Sequence, residues 1–481
     1  MWRLAGFGVA LAACAPTCPF GAADGDELLP EPCLHSPQVP GLPALAPGIP
    51  PTSFVTRDGN RLFVDGAPFR IAGPNIYWLG LDEWYGVHPP TPFRQDDALQ
   101  AAWQMGATVV RAHSLGISTG NSQSFEPALG QFNDAALAAG DRAIAQAKQL
   151  GIRLIVPLTD NYRYFTGGRF DFTRWHGLDD YFHGDDFFTD QTVIKDFEAY
   201  IERLLLHVNP LTGIAYKDEP TILAWELGNE LDPDKGSLYV PWSAAIARFI
   251  KTIDARHLIA DGSAKASHDP AGLAIAEIDL YTTHFYNCTA DPGDIARAAA
   301  PVAAAGKVFY IGEYDWTQDT PIALQIMLKI IEQNPDVSGD LYWSLWGHTD
   351  TYGYAGGDLY SLHVPGDDGG RQQRVGSLRA HAFAIRGAPL PAWAPPPAPT
   401  LVMAAPAAGG VALTWRGSAA AAAYTVETAA DATGPWSLVC AACASDLALP
   451  WNAPALDGFV RVTPIACDGT PGAASAPAAT P

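Results

Sequence analysis

The chain has 481 residues, of which 48% are hydrophobic and 17% charged, so it has room for two or three domains around a large core. Its 51 acidic residues outnumber its 29 Lys and Arg, and the net charge of −22 argues against a nucleic-acid partner. The 14 Trp and 17 Tyr favour a carbohydrate ligand, because sugar rings stack on aromatic side chains, although most Trp are expected to fill the core.

The N-terminus has the pattern of an export signal, predicted over residues 1–22. Arg3 supplies a positive charge, and Leu4–Ala13 is an apolar stretch too short to cross a bilayer. Leu11–Cys14 also resembles a bacterial lipoprotein box, in which Cys14 would carry a lipid anchor, but ordinary cleavage is favoured because the charged segment is short. We therefore predict a secreted protein, with a lipid anchor at Cys14 as the alternative, no later transmembrane segment and a monomeric state.

Seven cysteines occur in the chain, at positions 14, 18, 33, 288, 440, 443 and 467. In an exported protein they favour disulfide bonds. Cys440 and Cys443 form a CxxC motif, but no second CxxC or His pair accompanies it, so neither a zinc site nor another cofactor is predicted. The sequence leaves open whether Cys467 pairs with one of these two.

A Pro-, Ala- and Gly-rich extension is predicted over residues 23–53. The following segment, Phe54–Arg70, alternates around two hairpin turn signals, Asp58-Gly59 and Asp65-Gly66. It predicts a small sheet that closes the bottom of the next domain.

Apolar strands and amphipathic helices then alternate over residues 54–387. The predicted strands are Ile71–Trp78, Thr108–His113, Arg153–Thr159, Ile222–Leu227, Leu258–Asp261, Leu280–Phe285, Lys307–Ile311 and Asp340–Leu345. The helical patterns are Asp96–Met105, Ala135–Leu150, Thr192–Val208, Trp242–Ile253, Ile295–Ala305, Ile322–Gln333 and Ser377–Ile385, with a short, weak one at Pro270–Glu277. This order predicts an α/β fold of the closed (β/α)8 TIM barrel type. An open doubly wound sheet is disfavoured, because the sequence has neither a polar edge strand nor a glycine-rich phosphate loop.

A second domain follows a Pro-rich linker predicted over residues 388–400. Short alternating strands at Val411–Trp415, Tyr424–Thr428, Trp436–Val439 and Phe459–Pro464 predict a small β-sandwich over residues 401–481. Trp415 and Tyr424 resemble the core residues of fibronectin type III-like modules. We expect a spacer or stabilising module in preference to a sugar-binding one.

The carboxyl ends of the barrel strands carry a coherent set of polar and aromatic residues, as the active site of such a barrel requires. In chain order they are Asn75, Tyr77, Trp78, Arg111, His113, Asp160, Asn161, Asn229, Glu230, His284, Tyr286, Glu313, Tyr314, Trp316, Trp343, Trp346 and His348. Glu230 follows the fourth strand and Glu313 the seventh, so the two carboxylates are expected to face each other across the barrel mouth. Glycoside hydrolysis needs such a pair, one protonated for the leaving oxygen and one ionised for the anomeric carbon.

Neighbouring residues suggest how the two carboxylates would differ. A carboxylate beside Arg111 and Tyr286 is expected to stay ionised, whereas one in a more apolar pocket would keep its proton. Asn229 is a candidate for holding the sugar 2-hydroxyl, and Trp343 for the floor under the scissile sugar. The remaining candidate substrate contacts are His284, Trp78, His113 and Trp316.

Structural roles compete with these interpretations. Arg111 is also a candidate buried ion-pair partner, and His113 and His284 are candidate core histidines. Glu226 lies on the same side of the fourth strand as Glu230 but one layer deeper, so we expect it to be structural or to support the site residues from behind. A metal site built from His284, His113 and a Glu is disfavoured, because its ligands would come from three strands.

Taken together, Arg111, Asn229-Glu230, His284 with Tyr286, Glu313 and Trp343 resemble the motif set of glycoside hydrolase family 5 over roughly residues 54–387. Within that family, the segments His183–Thr189, Tyr216–Ile222 and Ala224–Leu227 most resemble the endo-β-1,4-mannanases. The resemblance implies Glu230 as the acid/base and Glu313 as the nucleophile of a double displacement with retention.

The chain also departs from the mannanase pattern. His113 stands two residues after Arg111, where that pattern has Trp, and the segments Asp160–Tyr164 and Gly116–Gly120 are atypical. The sequence predicts a β-linked polysaccharide of the β-1,4-mannan type as the substrate. Because the atypical loops line the cleft, a β-1,4-glucanase or other β-glycosidase remains the alternative. A non-catalytic carbohydrate-binding surface protein is the alternative outside the enzymes, and it is disfavoured because both carboxylates are present.

Overall fold

The computed structural model describes residues 42–178, 184–233, 235–286, 292–356 and 358–481. The predicted signal peptide, Cys14, the first part of the predicted extension, His183 and Cys288 lie outside these residues. Within the described ranges, no helix combines the length and apolar character needed to span a membrane.

A small antiparallel sheet precedes the barrel, as the two turn signals predicted. Its strands are β1 (Thr56–Asp58), β2 (Arg61–Val64) and β3 (Ala67–Phe69), which pair in that order. Val55 and Leu62 are buried in one cluster with Ile71 and Val308, which begin two of the barrel strands. The sheet therefore covers the end of the barrel at which its strands start.

The barrel has eight parallel strands. In chain order they are β4 (Ile71–Pro74), β5 (Val109–Arg111), β6 (Arg153–Pro157), β7 (Ile222–Glu226), β8 (Leu258–Ala260), β9 (Leu280–Phe285), β10 (Val308–Tyr314) and β11 (Val337–Tyr342). Neighbours from β5 to β11 pair in parallel, and β11 pairs with β4. A backbone bond from Thr108 N to Ala72 O (2.8 Å) and a parallel bridge between Asn75 and Arg111 join β4 to β5. The predicted (β/α)8 fold is confirmed.

Within the described ranges, the α-helices belong to this domain. They are α1 (Pro92–Gln104), α2 (Ala138–Leu150), α3 (Arg169–Trp175), α4 (Asp186–Thr189), α5 (Gln191–Leu205), α6 (Tyr239–Ile253), α7 (Pro270–Leu273), α8 (Pro292–Ala304), α9 (Pro321–Gln333) and α10 (Gly369–Ala384). The pattern did not predict α3 and α4, which are too short to show a clear hydrophobic period. Both lie in the long segment between β6 and α5.

Several boundaries differ from the sequence prediction, among them the end of β4 at Pro74 and the start of α10 at Gly369, and two of the differences have identifiable reasons. Helix α1 starts at Pro92 instead of Asp96, because the Thr91 hydroxyl accepts a hydrogen bond from Arg94 N (3.3 Å) and proline suits the first helical turn. Strand β10 continues past Ile311 to Tyr314, because it stays paired with β9 across a register shift. Glu313 therefore lies on the strand itself.

Apolar side chains fill two layers. The first lies inside the barrel, and the second lies between the strands and the helices. On α5, the apolar face places Val193, Phe197, Ile201 and Leu204 in the second layer, all at most 1% exposed. Each fully buried side chain of this kind stabilises the fold by roughly 1.5–3 kcal/mol.

The C-terminal residues form two antiparallel sheets. Strands β12 (Thr400–Ala407), β13 (Gly410–Arg416) and β16 (Trp451–Ala453) make one sheet, and β14 (Ala423–Ala429), β15 (Ser437–Ala444), β17 (Phe459–Ile465) and β18 (Ala478–Ala479) make the other. Trp415 and Tyr424 are fully buried in the core of this module. Cys440 and Cys443 lie side by side on β15 with their Cα atoms 5.8 Å apart, a separation that suits a disulfide bond.

The Pro-rich segment before this module is bound on both sides. Arg379 of α10 donates hydrogen bonds to the carbonyls of Pro391 (2.9 Å) and Ala392 (3.0 Å), and its guanidinium lies 4.2 Å from the ring centroid of Trp393. The backbone N–H of Trp393 donates to Asp468 of the module (3.0 Å). The segment is therefore a strap that holds the module against the barrel.

Candidate active site

Polar side chains converge where the barrel strands end. The strand register brings Glu313 of β10 opposite His284 of β9, and a register shift lies between Ile311 and Glu313. Such a bulge turns the side chains that follow it. Gly312 sits at this point, and a Cβ atom there would lie 2.4 Å from Thr282 Oγ1 and 2.8 Å from His284 Nε2. The close approach of β9 and β10 beside the carboxylate therefore requires glycine.

Arg111 is the centre of the hydrogen-bond network. Its Nε and Nη2 bind the two carboxylate oxygens of Glu226 (2.8 and 2.6 Å), and its Nη1 binds Glu313 Oε1 (2.6 Å). It also donates to the side-chain oxygens of Asn75 (3.1 Å) and Asn229 (2.8 Å). The Arg111 side chain is completely buried. Burial works against its charge, but the two carboxylates outweigh burial and raise the Arg111 pKa. Arg111 therefore acts as a fixed cation.

Glu313 is held at both oxygens. Arg111 binds Oε1, and the Tyr286 hydroxyl donates to Oε2 (2.5 Å). The Glu313 side chain is 6% exposed. Burial raises its pKa, the carboxylate of Glu230 adds to this, and the nearby charges of His284 and Arg111 only partly offset it.

Glu230 has a different environment. His284 Nδ1 lies 2.7 Å from Glu230 Oε1, and Tyr162 also hydrogen-bonds to this carboxylate. Its side chain is 25% exposed. Burial raises the Glu230 pKa, but the hydrogen bond and charge of His284 and the bond from Tyr162 outweigh burial and lower the pKa to about 2. The backbone of Glu230 is left-handed, with φ of 52°, a strained conformation that is often found at functional sites.

The two carboxylates are close together. One oxygen of Glu230, one oxygen of Glu313 and one nitrogen of His284 all lie within 4.8 Å of one another. Retaining glycosidases have their carboxyl groups about 5–5.5 Å apart, whereas inverting ones need about 6.5–9.5 Å to admit a water molecule. The spacing matches the retaining geometry.

The same three groups could in principle hold a metal ion. Both oxygens of Glu313 already accept hydrogen bonds, and the Arg111 cation is bonded to one of them. The charge that a metal ion would supply is thus provided by Arg111.

An aromatic wall borders the pair. The rings of Trp343 and Tyr77 stack with their centroids 5.1 Å apart and an interplanar angle of 8°. His113 lies against Trp343 with centroids 5.4 Å apart, and its Nε2 is 2.7 Å from Arg111 Nη1. Burial and the Arg111 charge lower the His113 pKa well below its ordinary value, so His113 is neutral and accepts a hydrogen bond from Arg111.

The structure thus brings together eight of the predicted site residues: Glu230, Glu313, Arg111, Asn229, His284, Tyr286, Trp343 and His113. It does not bring Trp78 and Trp316 to the cleft. Trp78 is completely buried and its indole donates to Leu345 O (3.4 Å), while Trp316 is 1% exposed and donates to Tyr360 O (2.7 Å). Because both side chains are buried, their prediction as substrate contacts is corrected.

Three further residues lie in the site although they were not among the predicted catalytic or substrate-binding residues. Glu226 holds Arg111, and the Tyr310 hydroxyl donates to it (3.0 Å). Tyr162 binds Glu230. Asp160 accepts a hydrogen bond from Asn229 Nδ2 (3.3 Å), and its burial raises its pKa to about 8. Their positions at or after barrel strands were visible in the sequence, but their contacts were not.

A (β/α)8 barrel in which two closely spaced carboxylates face each other beside an aromatic wall can support a double displacement at a sugar. Residues 52–288 match the model of a family described as GH family 5 beta-mannosidase-like. This segment includes Arg111, Glu230 and His284, and it ends before Glu313.

Similar proteins carry related names. The mannan endo-1,4-beta-mannosidase 2 of Oryza sativa subsp. japonica is 38% identical over 217 residues, which cover 44% of this chain and 47% of the relative. The mannan endo-1,4-beta-mannosidase 2 of Arabidopsis thaliana is 34% identical over 216 residues, which cover 44% and 48%. The chain spans about half the length of the curated relatives it matches.

Solved structures are similar over a larger share of the chain. A hyperthermostable endo-1,4-beta-D-mannanase from Thermotoga petrophila RKU-1 has a TM-score of 0.56 and 25% identity, over 65% of this chain and 99% of that one. The endo-1,4-beta-mannanase from Rhizomucor miehei has a TM-score of 0.53 and 26% identity, over 61% and 91%.

Proposed function

We propose that the protein is a retaining glycoside hydrolase that cleaves β-1,4-linked mannan-type polysaccharide. The observation that carries this proposal is the pair of carboxylates within 4.8 Å of each other at the barrel mouth. The mannanase names of its relatives and structural neighbours support the mannan substrate.

In the proposed reaction, Glu313 is the nucleophile. Arg111 and Tyr286 fix both of its oxygens, so the carboxylate has little freedom to turn away from the anomeric carbon. An oxygen of Glu313 forms a bond to that carbon as the bond to the leaving oxygen breaks, which gives a covalent glycosyl ester. Water then cleaves the ester, and two inversions retain the configuration.

Glu230 is the acid/base. It is more exposed than Glu313, at 25% against 6%, so a leaving oxygen and later a water molecule can both reach it. It protonates the leaving oxygen in the first step and takes a proton from the water in the second. The contact with His284 Nδ1 at 2.7 Å allows the two residues to share one proton, so that a proton can move to Glu230 when substrate enters.

Asn229 and Trp343 would bind the sugar between the carboxylates. The side-chain oxygen of Asn229 is held by Arg111 and its amide by Asp160, so its orientation is fixed from both ends. The half-buried face of Trp343, backed by Tyr77, offers a flat apolar floor.

Hydrolysis of β-1,4-mannan with NMR detection of the first-formed anomer tests the proposal. We expect the β anomer, and we expect Glu230→Gln and Glu313→Gln each to lower kcat by about a hundredfold to ten-thousandfold without unfolding the protein. Initial formation of the α anomer would contradict the retaining mechanism.

A β-1,4-glucanase is the second candidate, because the segment Asp160–Tyr164 beside Glu230 departs from the mannanase pattern. A panel of mannan, glucomannan, galactomannan and cellulose separates the two. Release of sugar from cellulose but from no mannan would contradict the substrate class and leave the mechanism intact. No release from any polymer, with binding retained, would favour a non-catalytic carbohydrate-binding protein.

We further propose that the C-terminal module is fibronectin type III-like, which its three-stranded and four-stranded sheets support. Export of the protein as a monomer, with or without a lipid on Cys14, is also our proposal. N-terminal sequencing of the mature protein, radiolabelled palmitate incorporation and sedimentation analysis test these points.

A further inference from the structure

A buried histidine joins the barrel to the C-terminal module. His348 lies in the segment after β11, and it is 1% exposed. Its Nδ1 is 3.0 Å from both carboxylate oxygens of Asp97 on α1, and its Nε2 is 3.1 Å from Asp446 Oδ2 of the module. Its ring also stacks on that of Tyr354 (4.3 Å). His348 is therefore clamped between a carboxylate of the barrel and a carboxylate of the module.

The module holds its side of this contact firmly. Trp415 Nε1 donates to Asp446 Oδ1 (3.1 Å), and the Tyr424 hydroxyl donates to Asp446 Oδ2 (2.6 Å). Both rings belong to the core of the module. Burial lowers the His348 pKa, but the charges of Asp97 and Asp446 outweigh it and raise the pKa to about 10, so the ring is protonated near neutral pH.

A second set of contacts lies beside the first. Arg416 of the module donates to the carbonyl of Asp350 (2.8 Å), and its guanidinium lies 4.5 Å from the ring centroid of Phe93. Asp350 in turn accepts a hydrogen bond from the hydroxyl of Thr91, which caps α1 (2.6 Å). The module thus contacts the segment after β11 at two points.

That segment also carries the aromatic wall of the cleft. Trp343 and Trp346 precede His348 by five and two residues, and both pack on Tyr77, with centroids 5.1 and 5.7 Å away. Two backbone hydrogen bonds, from Trp346 N to Leu362 O and from Leu362 N to Ser344 O (both 2.9 Å), fix this stretch against Leu362 further along the chain. His348 and the two tryptophans are therefore joined by a short, packed segment.

We propose that Asp446 is a positioning residue for the reaction: through His348 it fixes the segment Trp343–His348 and so holds the aromatic wall against the substrate. The inference rests on the proposed glycosidase function. It assigns the C-terminal module a role in the active site, beyond that of a spacer.

The test uses three variants of the full chain: His348→Ala, Asp446→Ala and the double variant. We expect each single variant to lower kcat/KM on β-1,4-mannan about tenfold, mainly through a higher KM, because a charge-assisted hydrogen bond is lost. We expect the double variant to match His348→Ala alone, because Asp446 acts through His348 and the two effects are then not additive. Amide hydrogen exchange of residues 343–348 should become faster in all three.

A matched control separates positioning from stability. Tyr424→Phe removes a hydrogen bond to Asp446 inside the module and leaves the contact between Asp446 and His348 in place. It should lower the melting temperature and keep kcat/KM within about twofold of the wild type. His348→Gln, which leaves the module's own network intact, replaces Asp446→Ala if that variant fails to fold.

The outcomes distinguish this inference from the proposed function. If His348→Ala lowers the melting temperature but changes neither kcat/KM nor the exchange of residues 343–348, the module only stabilises the protein and the inference is wrong. If the wild type hydrolyses no mannan, the proposed function is wrong, and the exchange measurement alone decides whether Asp446 fixes the segment.

Discussion

Replacing Tyr286 by Phe should weaken the nucleophile without moving it. The Tyr286 hydroxyl donates to Glu313 Oε2 at 2.5 Å, while Arg111 binds Oε1 at 2.6 Å, so the variant removes one of two bonds that fix the carboxylate. A hydrogen bond to a charged group contributes about 1.5–3 kcal/mol. At about 1.36 kcal/mol per tenfold, the loss predicts a rate of glycosyl-ester formation that is roughly 10- to 150-fold lower.

The measurement is the pre-steady-state burst with an activated aryl β-mannoside, which isolates the first chemical step. Tyr360→Phe is the matched control, because it removes a hydroxyl from the ring packed edge-on against Tyr286 (5.6 Å) and leaves the bonds of Glu313 in place. The Tyr286 bond also lowers the Glu313 pKa, so its loss should move the acidic limb of kcat/KM to higher pH. A burst slowed by less than about threefold, with an unmoved limb, would refute this role for Tyr286.

Three other changes test the architecture around the site. Gly312→Ala should destabilise the fold by about 1–3 kcal/mol, measured by urea unfolding, because the new Cβ would lie 2.8 Å from His284 Nε2; an unchanged midpoint would contradict the close approach. Glu226→Ala should cost about 3–5 kcal/mol, since it leaves the buried Arg111 without its bidentate partner, and kcat/KM should fall with it; a fully stable variant would show that the pair is dispensable. The pKa of His348 is raised from 6.5 to about 10 in the folded protein. The protonated ring therefore stabilises the fold fully below about pH 6.5, and this contribution is lost as the pH rises through 10. The melting temperature should fall over that window, and less steeply in His348→Gln.

Local patterns were sufficient to predict the barrel and most of the site. The apolar run Ile222–Trp225 followed by Asn229-Glu230 is encoded within ten residues, and a parallel barrel places the end of every such run at one rim. Counting strands therefore placed Glu230 near Glu313 without any knowledge of side-chain contacts.

Features that depend on distant partners could not be predicted in this way. Glu313 lies on β10 because a register shift at Gly312 keeps this strand paired with β9, and a bulge leaves no local hydrophobic signal. Trp78 and Trp316 follow strand ends like the residues that meet in the cleft, but their side chains are buried. The contact between His348 and Asp446 spans 98 residues of sequence.

The protonation states of Glu230 and Glu313 are the feature of the site that the sequence predicts least well, and they matter most for the mechanism. In the free site, His284 and Tyr162 lower the Glu230 pKa to about 2, while burial raises that of Glu313, which is the reverse of what an acid and a nucleophile need. A sugar ring entering the cleft removes water from the more exposed Glu230 and so raises its pKa, whereas Arg111 and Tyr286 stay bonded to Glu313. Substrate binding should therefore move the proton onto Glu230. Since kcat/KM reports the free enzyme and kcat the complex, the alkaline limb, where Glu230 loses its proton, should lie at higher pH in the kcat profile. Identical alkaline limbs would mean that the proton is already in place before substrate binds.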